Sequence, residues 1–136
     1  MRAFSAGSMV KVLLGLDLIE VDRVARVLER WGDRFLDRVF RPGEVSVSRR
    51  HPRARAEHVA GRFAAKEAAM KALGTGWRGL AFVDVEVGRD PRGKPMLSFH
   101  GRALDRCRQL RVASMEVSIT HTRTMAAAAV ALVTEE

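Results

Sequence analysis

The chain has 136 residues, of which 47% are hydrophobic, and a formal net charge of +8 at pH 7. This length suits one domain with a substantial core, and no apolar run is long enough to cross a membrane. The single cysteine, Cys107, excludes a disulfide within the chain and fits a reducing cytoplasm. We expect residues 1–9 to be a flexible arm or an expression remnant, because they lack the apolar region of a signal peptide, and residues 10–136 to form one domain.

The positive charge favours acidic partners, which include nucleic acid, an anionic membrane, a polyphosphate ligand or an acidic protein. The chain has 24 lysines and arginines but only two tryptophans, six phenylalanines and no tyrosine, which makes a poor stacking surface for single-stranded nucleic acid. Charge alone does not choose among these partners, and we expect neither nucleic acid nor a membrane to be one of them.

An apolar, β-branched run at residues 10–19 predicts the first strand. Asp17 interrupts this run, and a lone aspartate is unfavourable inside a strand. Asp17 therefore either ends the strand or serves a function. Gly15, two residues earlier, allows another part of the chain to approach the backbone closely.

An amphipathic pattern predicts a helix at residues 21–31, with Gly32 as its end and a second short helix at residues 33–41. Three arginines form a row beside the apolar stripe of the first helix: Arg23, Arg26 and Arg30. A solvated face is the ordinary explanation of such a row. A surface that recognises an acidic partner is the alternative.

The alanine-rich residues 61–73 predict a long helix that ends at Gly74. Phe63, Glu67 and Met70 share one face of this helix, which places a carboxylate on its apolar side. An ionised carboxylate there is costly unless a cation, a metal or good hydrogen bonds compensate it. Lys71, one turn beyond Glu67, forms either an ordinary surface salt bridge with it or an acid and base pair in a cleft.

Four arginines precede the long helix, at positions 49, 50, 53 and 55, and Pro52 among them suits a first helical turn. Such a cluster near a helix N-terminus suits a polyanion, although a solvated loop explains it equally well.

The second half of the chain predicts two hairpins with a helix between them. The expected elements are strands at 80–87 and 96–99 around a turn at 90–95, a helix at 101–111, and strands at 115–120 and 125–133. Cys107 falls on the apolar face of that helix, so a buried, inert thiol is expected. The element order indicates an α+β fold, in which a mainly antiparallel sheet packs against one long and several short helices.

Asp17 and Glu67 are both carboxylates in apolar settings. Brought together, they would form an oxygen site for Mg²⁺, which takes one or two protein carboxylates and leaves its other positions to water and phosphate oxygens.

Several motifs resemble those of the bacterial holo-acyl-carrier-protein synthases, the small type of 4′-phosphopantetheinyl transferase. The first is Gly-Leu-Asp-Leu-Ile-Glu-Val-Asp-Arg at 15–23, and the second is Phe-Ala-Ala-Lys-Glu-Ala-Ala-Met-Lys at 63–71 with Gly-Thr-Gly at 74–76. Weaker likenesses are Ser-Ile-Thr-His-Thr at 118–122 and Asp-Pro-Arg-Gly-Lys-Pro at 90–95. The resemblance runs from about residue 12 to residue 133.

This resemblance implies the phosphopantetheinyl transferase fold in a single domain and a group transfer. The 4′-phosphopantetheine of coenzyme A moves to a serine of apo-acyl carrier protein, and adenosine 3′,5′-bisphosphate is released. The family binds Mg²⁺ through residues matching Asp17 and Glu67, and it forms homotrimers with active sites at the subunit interfaces.

The resemblance also implies roles for individual residues. Asp17, Glu67 and Lys71 would be catalytic, and the general base is either Glu67 or a metal-bound water. Arg23, Arg26 and Arg30 would dock the acidic carrier protein. The expected contacts of coenzyme A are Arg53, Arg62, Lys71, Gly74, Thr75, Gly76, His121 and Thr122. A small nucleic-acid-binding module and a non-catalytic structural subunit are the rival hypotheses, but both leave Asp17 and Glu67 unexplained.

Overall fold

The computed structural model describes residues 10–46, 50–76 and 79–135. The predicted arm at 1–9 therefore lies outside the described residues, as does Arg49 of the arginine cluster. No helix in the described ranges is long and apolar enough to span a membrane. The elements are β1 (Val12–Glu20), α1 (Val21–Trp31), α2 (Asp33–Val39), α3 (Pro52–Ala72), β2 (Val85–Arg89), β3 (Pro95–Phe99), α4 (Gly101–Leu110), β4 (Val112–His121) and β5 (Met125–Thr134).

The strands form two sheets. One has three strands in the order β1-β5-β4, and the other is the hairpin of β2 and β3. Every pairing is antiparallel, with Asp17 opposite Ala128 in the first sheet and Val85 opposite Phe99 in the second. The expected α+β fold with antiparallel pairing is confirmed, although the strands are divided between two sheets.

The long helix α3 is the centre of the molecule. It is buried along most of its surface, because the three-stranded sheet packs on one side and α1 and β2 pack on others. The predicted face of Phe63, Glu67 and Met70 is therefore one of several faces of α3 that pack against the rest of the molecule. Phe63 and Glu67 line one cavity, whereas Met70 is fully buried in the core.

Close contact between β1 and α3 depends on Gly15. A Cβ atom at this position would lie 1.7 Å from the carbonyl oxygen of Ala68, so any side chain would force the two backbones apart. Asp17 follows two residues later on the same face of the strand, because strand side chains alternate. Gly15 thus brings Asp17 against α3, where it is 8% exposed.

Two predicted boundaries differ from the structure. The strand expected at 80–87 begins with a 3-10 turn at Phe82–Asp84, and strand pairing starts at Val85. Within this turn the Val83 carbonyl accepts a hydrogen bond from Arg41 Nε, and the Asp84 carbonyl accepts one from the His100 amide. The second predicted helix ends at Val39 instead of residue 41.

Cys107 lies on α4 and is buried, as predicted. Burial raises the pKa of its thiol to about 11, which keeps it protonated and unreactive at neutral pH.

Candidate active site

The structure brings the two out-of-place carboxylates into one cavity. Asp17 reaches it from β1 and Glu67 from α3, and the cavity volume is about 440 Å³. Its lining residues are Asp17, Leu18, Ile19, Arg23, Val24, Val27, Phe35, Phe63 and Glu67. The floor is therefore largely apolar, and the polar groups are two acids and one arginine.

The Asp17 carboxylate has one satisfied oxygen and one unsatisfied oxygen. Oδ1 accepts a hydrogen bond from Lys71 Nζ at 3.1 Å. Oδ2 is buried and has no hydrogen-bond partner among the described residues. A buried acceptor without a partner is unfavourable by roughly 1–3 kcal/mol or more, so a bound cation would remove this cost.

Glu67 is partly buried, and burial raises the pKa of its carboxyl group. The charge of Asp17 raises this pKa further, while Lys71 and Arg23 oppose the rise. Two neighbouring carboxylates with little positive charge between them repel each other when both are ionised, so this pair would attract a cation.

Lys71 crosses from α3 to β1. Its Nζ donates hydrogen bonds to the Leu16 carbonyl at 3.0 Å and to Asp17 Oδ1 at 3.1 Å. The described ion pair of Lys71 therefore joins Asp17, 54 residues away, and does not run along the helix to Glu67. This favours the pair in a cleft over the surface salt bridge. About half of the lysine side chain stays exposed, at 54%.

The glycine loop follows directly after α3. Gly74 and Gly76 have φ values of +78° and +56°, a conformation that glycine adopts without steric cost. Thr75 Oγ1 donates a hydrogen bond to the Gly76 carbonyl at 3.0 Å. Arg106 of α4 donates from Nε to the Leu73 carbonyl at 3.0 Å and so caps the end of α3 beside this loop.

The arginine row on α1 is exposed, as predicted. Arg23 lines the carboxylate cavity, and the row continues away from it through Arg26 to Arg30. The Arg30 guanidinium lies 5.2 Å from the ring centroid of Trp31, which is a cation–π contact. An acidic partner bound along this row would reach the carboxylates at the Arg23 end.

A second cavity collects Arg62 and His121, two of the residues predicted to bind a nucleotide. It has a volume of about 430 Å³. Arg62 and Glu67 are five residues apart on α3, which rotates them by about 140° around the helix axis. Within one chain, Arg62 and His121 therefore line a different cavity from Asp17 and Glu67.

Comparison with known proteins shows the family to which this chain belongs. The model of the 4′-phosphopantetheinyl transferase superfamily matches residues 13–131. The holo-[acyl-carrier-protein] synthase of Koribacter versatilis (strain Ellin345) is 45% identical over 119 residues, which are 87% of this chain and 94% of that protein. The chain belongs to the holo-[acyl-carrier-protein] synthase family of 4′-phosphopantetheinyl transferases.

Solved structures from this family have the same fold. The Plasmodium yoelii acyl carrier protein synthase with ADP bound has a TM-score of 0.82 and 26% identity, and the match covers 94% of this chain and 99% of that one. A holo-(acyl-carrier-protein) synthase from Bacillus anthracis str. Ames, in complex with CoA (3′,5′-ADP), has a TM-score of 0.70 and 33% identity over 90% and 97% of the two chains. The predictions of this enzyme family and of its fold are confirmed.

Two residues predicted to bind coenzyme A have partners inside the chain. Arg53 makes an ion pair with Asp22 at 2.5 Å and also donates a hydrogen bond to the Arg123 carbonyl. Thr122 Oγ1 accepts hydrogen bonds from the amides of Thr124 and Met125, at 3.2 and 3.0 Å, and so closes the turn between β4 and β5. Their role in this family member stays a prediction.

Sequence reasoning missed the buried ion pair of Glu44 and Lys66. Lys66 is adjacent to Glu67 on α3 but is completely buried, and its Nζ lies 2.9 Å from Glu44 Oε1. The opposite carboxylate oxygen accepts a hydrogen bond from the Val87 amide at 2.9 Å. This pair ties the segment after α2 to α3 and β2. The signal in the sequence was the position of Lys66 among four alanines, which are Ala64, Ala65, Ala68 and Ala69.

Sequence reasoning also missed His58 and Arg89, which line the second cavity together with Arg62 and His121. A lone histidine in a helix and an arginine at a strand end carry no local signal of binding. Only the packing of α3 against the β2–β3 hairpin brings them together.

Proposed function

We propose that this chain transfers the 4′-phosphopantetheine group of coenzyme A to a serine hydroxyl of apo-acyl carrier protein and releases adenosine 3′,5′-bisphosphate. The observation that carries this proposal is the unsatisfied, buried Oδ2 of Asp17 in a cavity shared with Glu67. Neither rival hypothesis, a nucleic-acid-binding module or a structural subunit, gives this costly arrangement a purpose.

We infer that the two carboxylates hold Mg²⁺. The fit is chemical, because both donors are carboxylates, one oxygen lacks a partner, and burial and mutual repulsion make the pair unfavourable without a cation. When bound, Mg²⁺ neutralises charge on the diphosphate of coenzyme A.

The remaining groups suit attack of a serine on that diphosphate. The serine oxygen forms a bond to the phosphorus that carries pantetheine, and the bond from this phosphorus to the departing phosphate breaks. The half-exposed ammonium of Lys71, held beside Asp17, is available to stabilise the departing phosphate. The raised pKa of Glu67 suits a group that takes the proton of the serine hydroxyl.

We propose that the second cavity binds the nucleotide end of coenzyme A. Adenosine 3′,5′-bisphosphate carries more negative charge than one lysine can compensate. Arg62, Arg89 and His121 supply cationic or hydrogen-bonding groups in a cavity that admits a ligand. Two family structures hold ADP and CoA (3′,5′-ADP), which supports binding of such a nucleotide by this fold.

We also propose a homotrimer in which each active site lies between two subunits. The outer face of β1 presents a row of exposed apolar side chains, with Val12 58%, Leu14 73%, Leu16 68% and Leu18 65% exposed. A continuous apolar surface of this kind marks an interaction site. Since the two cavities are separate within one chain, a neighbouring subunit would let one ligand reach both.

Mixing two inactive variants tests the shared site. Glu67→Ala removes a proposed metal ligand, and His121→Ala removes a proposed nucleotide contact. Neither variant should be active alone, but mixed trimers should regain part of the activity. Light scattering should give three times the chain mass. A monomer that is fully active at the measured concentration would contradict the trimer, and a trimer without recovery would place both residues of each site on one chain.

We propose that α1 docks the carrier protein through its arginine row. Charge reversal at Arg26 and Arg30 should raise the KM for the acidic carrier about tenfold and weaken its salt dependence, while the KM for coenzyme A stays unchanged. Arg102→Glu, at an exposed position on α4, is the matched control. A higher KM for coenzyme A with an unchanged KM for the carrier would assign these arginines to the cofactor.

The central experiment is mass spectrometry of an apo-carrier incubated with the protein, coenzyme A and Mg²⁺. The carrier should gain the mass of one phosphopantetheine group at its serine, and chelator should prevent this. A panel of fatty-acid and polyketide carriers would then define specificity. An unmodified carrier across the whole panel would refute the transfer. The reducing cytoplasm suits this reaction, since its product bears a free thiol.

A further inference from the structure

We propose that His58 is a positioning residue that holds Arg62 in place for the phosphates of the nucleotide. The inference rests on the proposed function, because it takes the second cavity as the nucleotide site. Arg62 Nε donates a hydrogen bond to His58 Nε2 at 3.0 Å, and the two residues lie one turn apart on α3.

The geometry suits orientation of a guanidinium. Arg62 lines the cavity but is only 5% exposed as a residue, so its side chain is packed by its neighbours. His58 binds Nε, which leaves the paired terminal nitrogens to form the two parallel hydrogen bonds that arginine makes with phosphate. Without His58, this side chain would have to be ordered on ligand binding, at a cost in affinity.

The tautomer of His58 follows from its hydrogen bond to Arg62. Because Nε2 accepts the hydrogen of Arg62 Nε, the neutral imidazole carries its own proton on Nδ1.

The charges around His58 keep it in the accepting form. Burial lowers the pKa of His58 to about 4, and Arg62 and Arg89 lower it as well. The imidazole is therefore neutral at the pH of the cytoplasm. Burial lowers the pKa of Arg62, and repulsion from Arg89, which lines the same cavity, lowers it further. A dianionic phosphate would relieve this repulsion.

The test compares two replacements of His58 that differ in one hydrogen bond. His58→Leu removes the acceptor and keeps the size, whereas His58→Gln can place an amide oxygen near the position of Nε2. Binding of adenosine 3′,5′-bisphosphate is measured by titration calorimetry, without turnover. We expect His58→Leu to weaken binding about fivefold, from the usual value of one hydrogen bond, and His58→Gln to restore most of it.

A double-mutant cycle separates positioning from general damage. In an Arg62→Ala background, His58→Leu should change the bisphosphate affinity no further, since the group that it positions is gone. In steady-state assays, His58→Leu should raise the KM for coenzyme A and leave kcat and the carrier KM unchanged. If His58→Leu fails to fold, His58→Phe provides the same comparison.

Three outcomes would overturn the inference. His58→Leu could bind the bisphosphate as tightly as the natural protein, its effect could add fully to that of Arg62→Ala, or kcat could fall with KM unchanged. If the natural protein binds no bisphosphate at all, the nucleotide site and this inference fall together. Normal binding with no effect of His58→Leu rejects the inference alone.

Discussion

Lys66→Met is expected to lower the free energy of unfolding by about 3–5 kcal/mol, because it leaves a buried carboxylate without its cation. The Glu44 side chain is 1% exposed and the Lys66 side chain 0%. The lysine ammonium donates to Glu44 Oε1 at 2.9 Å and to the carbonyls of Phe82 and Val85 at 3.1 and 2.5 Å. These bonds match its three donors, so methionine also removes one hydrogen bond from each of the two carbonyls.

Urea denaturation of four proteins measures this effect. Lys66→Met and Glu44→Gln should each be destabilising, and the double variant should lose less than the sum, because it no longer buries an unpaired charge. Lys94→Met is the matched control, since Lys94 pairs with Glu116 at 2.7 Å while both side chains are more than half exposed. Its loss of stability should be small, because water screens an exposed ion pair. If Lys66→Met and Lys94→Met lowered the free energy of unfolding equally, burial would not increase the contribution of the Glu44–Lys66 pair.

The Glu44–Lys66 pair shows where sequence reasoning stops. The helix around Lys66 was predictable, since alanine propensity, a proline at its start and glycines after its end are local signals. The partner was not predictable, because Glu44 lies 22 residues away in an irregular segment. Only tertiary packing fixes which side of α3 meets that segment.

The same reasoning explains the error about the strand expected at 80–87. A pattern of apolar residues says nothing about which backbone groups pair. The side chains of Phe82–Asp84 are only partly buried, and Arg41 and His100 take the hydrogen bonds that a neighbouring strand would supply. The helix α3 is covered on several sides, so the face of Phe63, Glu67 and Met70 is one of several that pack against the rest of the molecule.

Asp17 and Glu67, in contrast to Glu44, could be singled out from the sequence. Asp17 and Glu67 are each unfavourable in their own local setting, so each stands out without knowledge of the other. A residue that conflicts with its surroundings is a typical sign of a functional site. The nucleotide side has no such conflict, and the sequence gives only a resemblance for Arg62 and His121.

Glu67→Gln is expected to lower kcat/KM at least about 100-fold, in line with the loss of a group that acts on developing charge. In chelator, however, the variant should be as stable as the natural protein or more stable. Burial and the Asp17 charge raise the pKa of Glu67, so its ionised form opposes folding. Stability of the natural protein in chelator should therefore fall as pH rises above the ordinary carboxyl pKa, and Glu67→Gln should lack this fall.

If Mg²⁺ binds these carboxylates, it should make the natural protein more stable than Glu67→Gln. A ligand that binds only the folded state at 100 times its dissociation constant adds about 2.7 kcal/mol, so Mg²⁺ should raise the Tm of the natural protein. It should leave Glu67→Gln and Asp17→Asn nearly unchanged. Asp105→Asn, at an exposed carboxylate on α4, is the control and should respond as the natural protein does. An equal rise in Tm for Glu67→Gln would place the metal elsewhere, because the variant has lost one of the two proposed ligands.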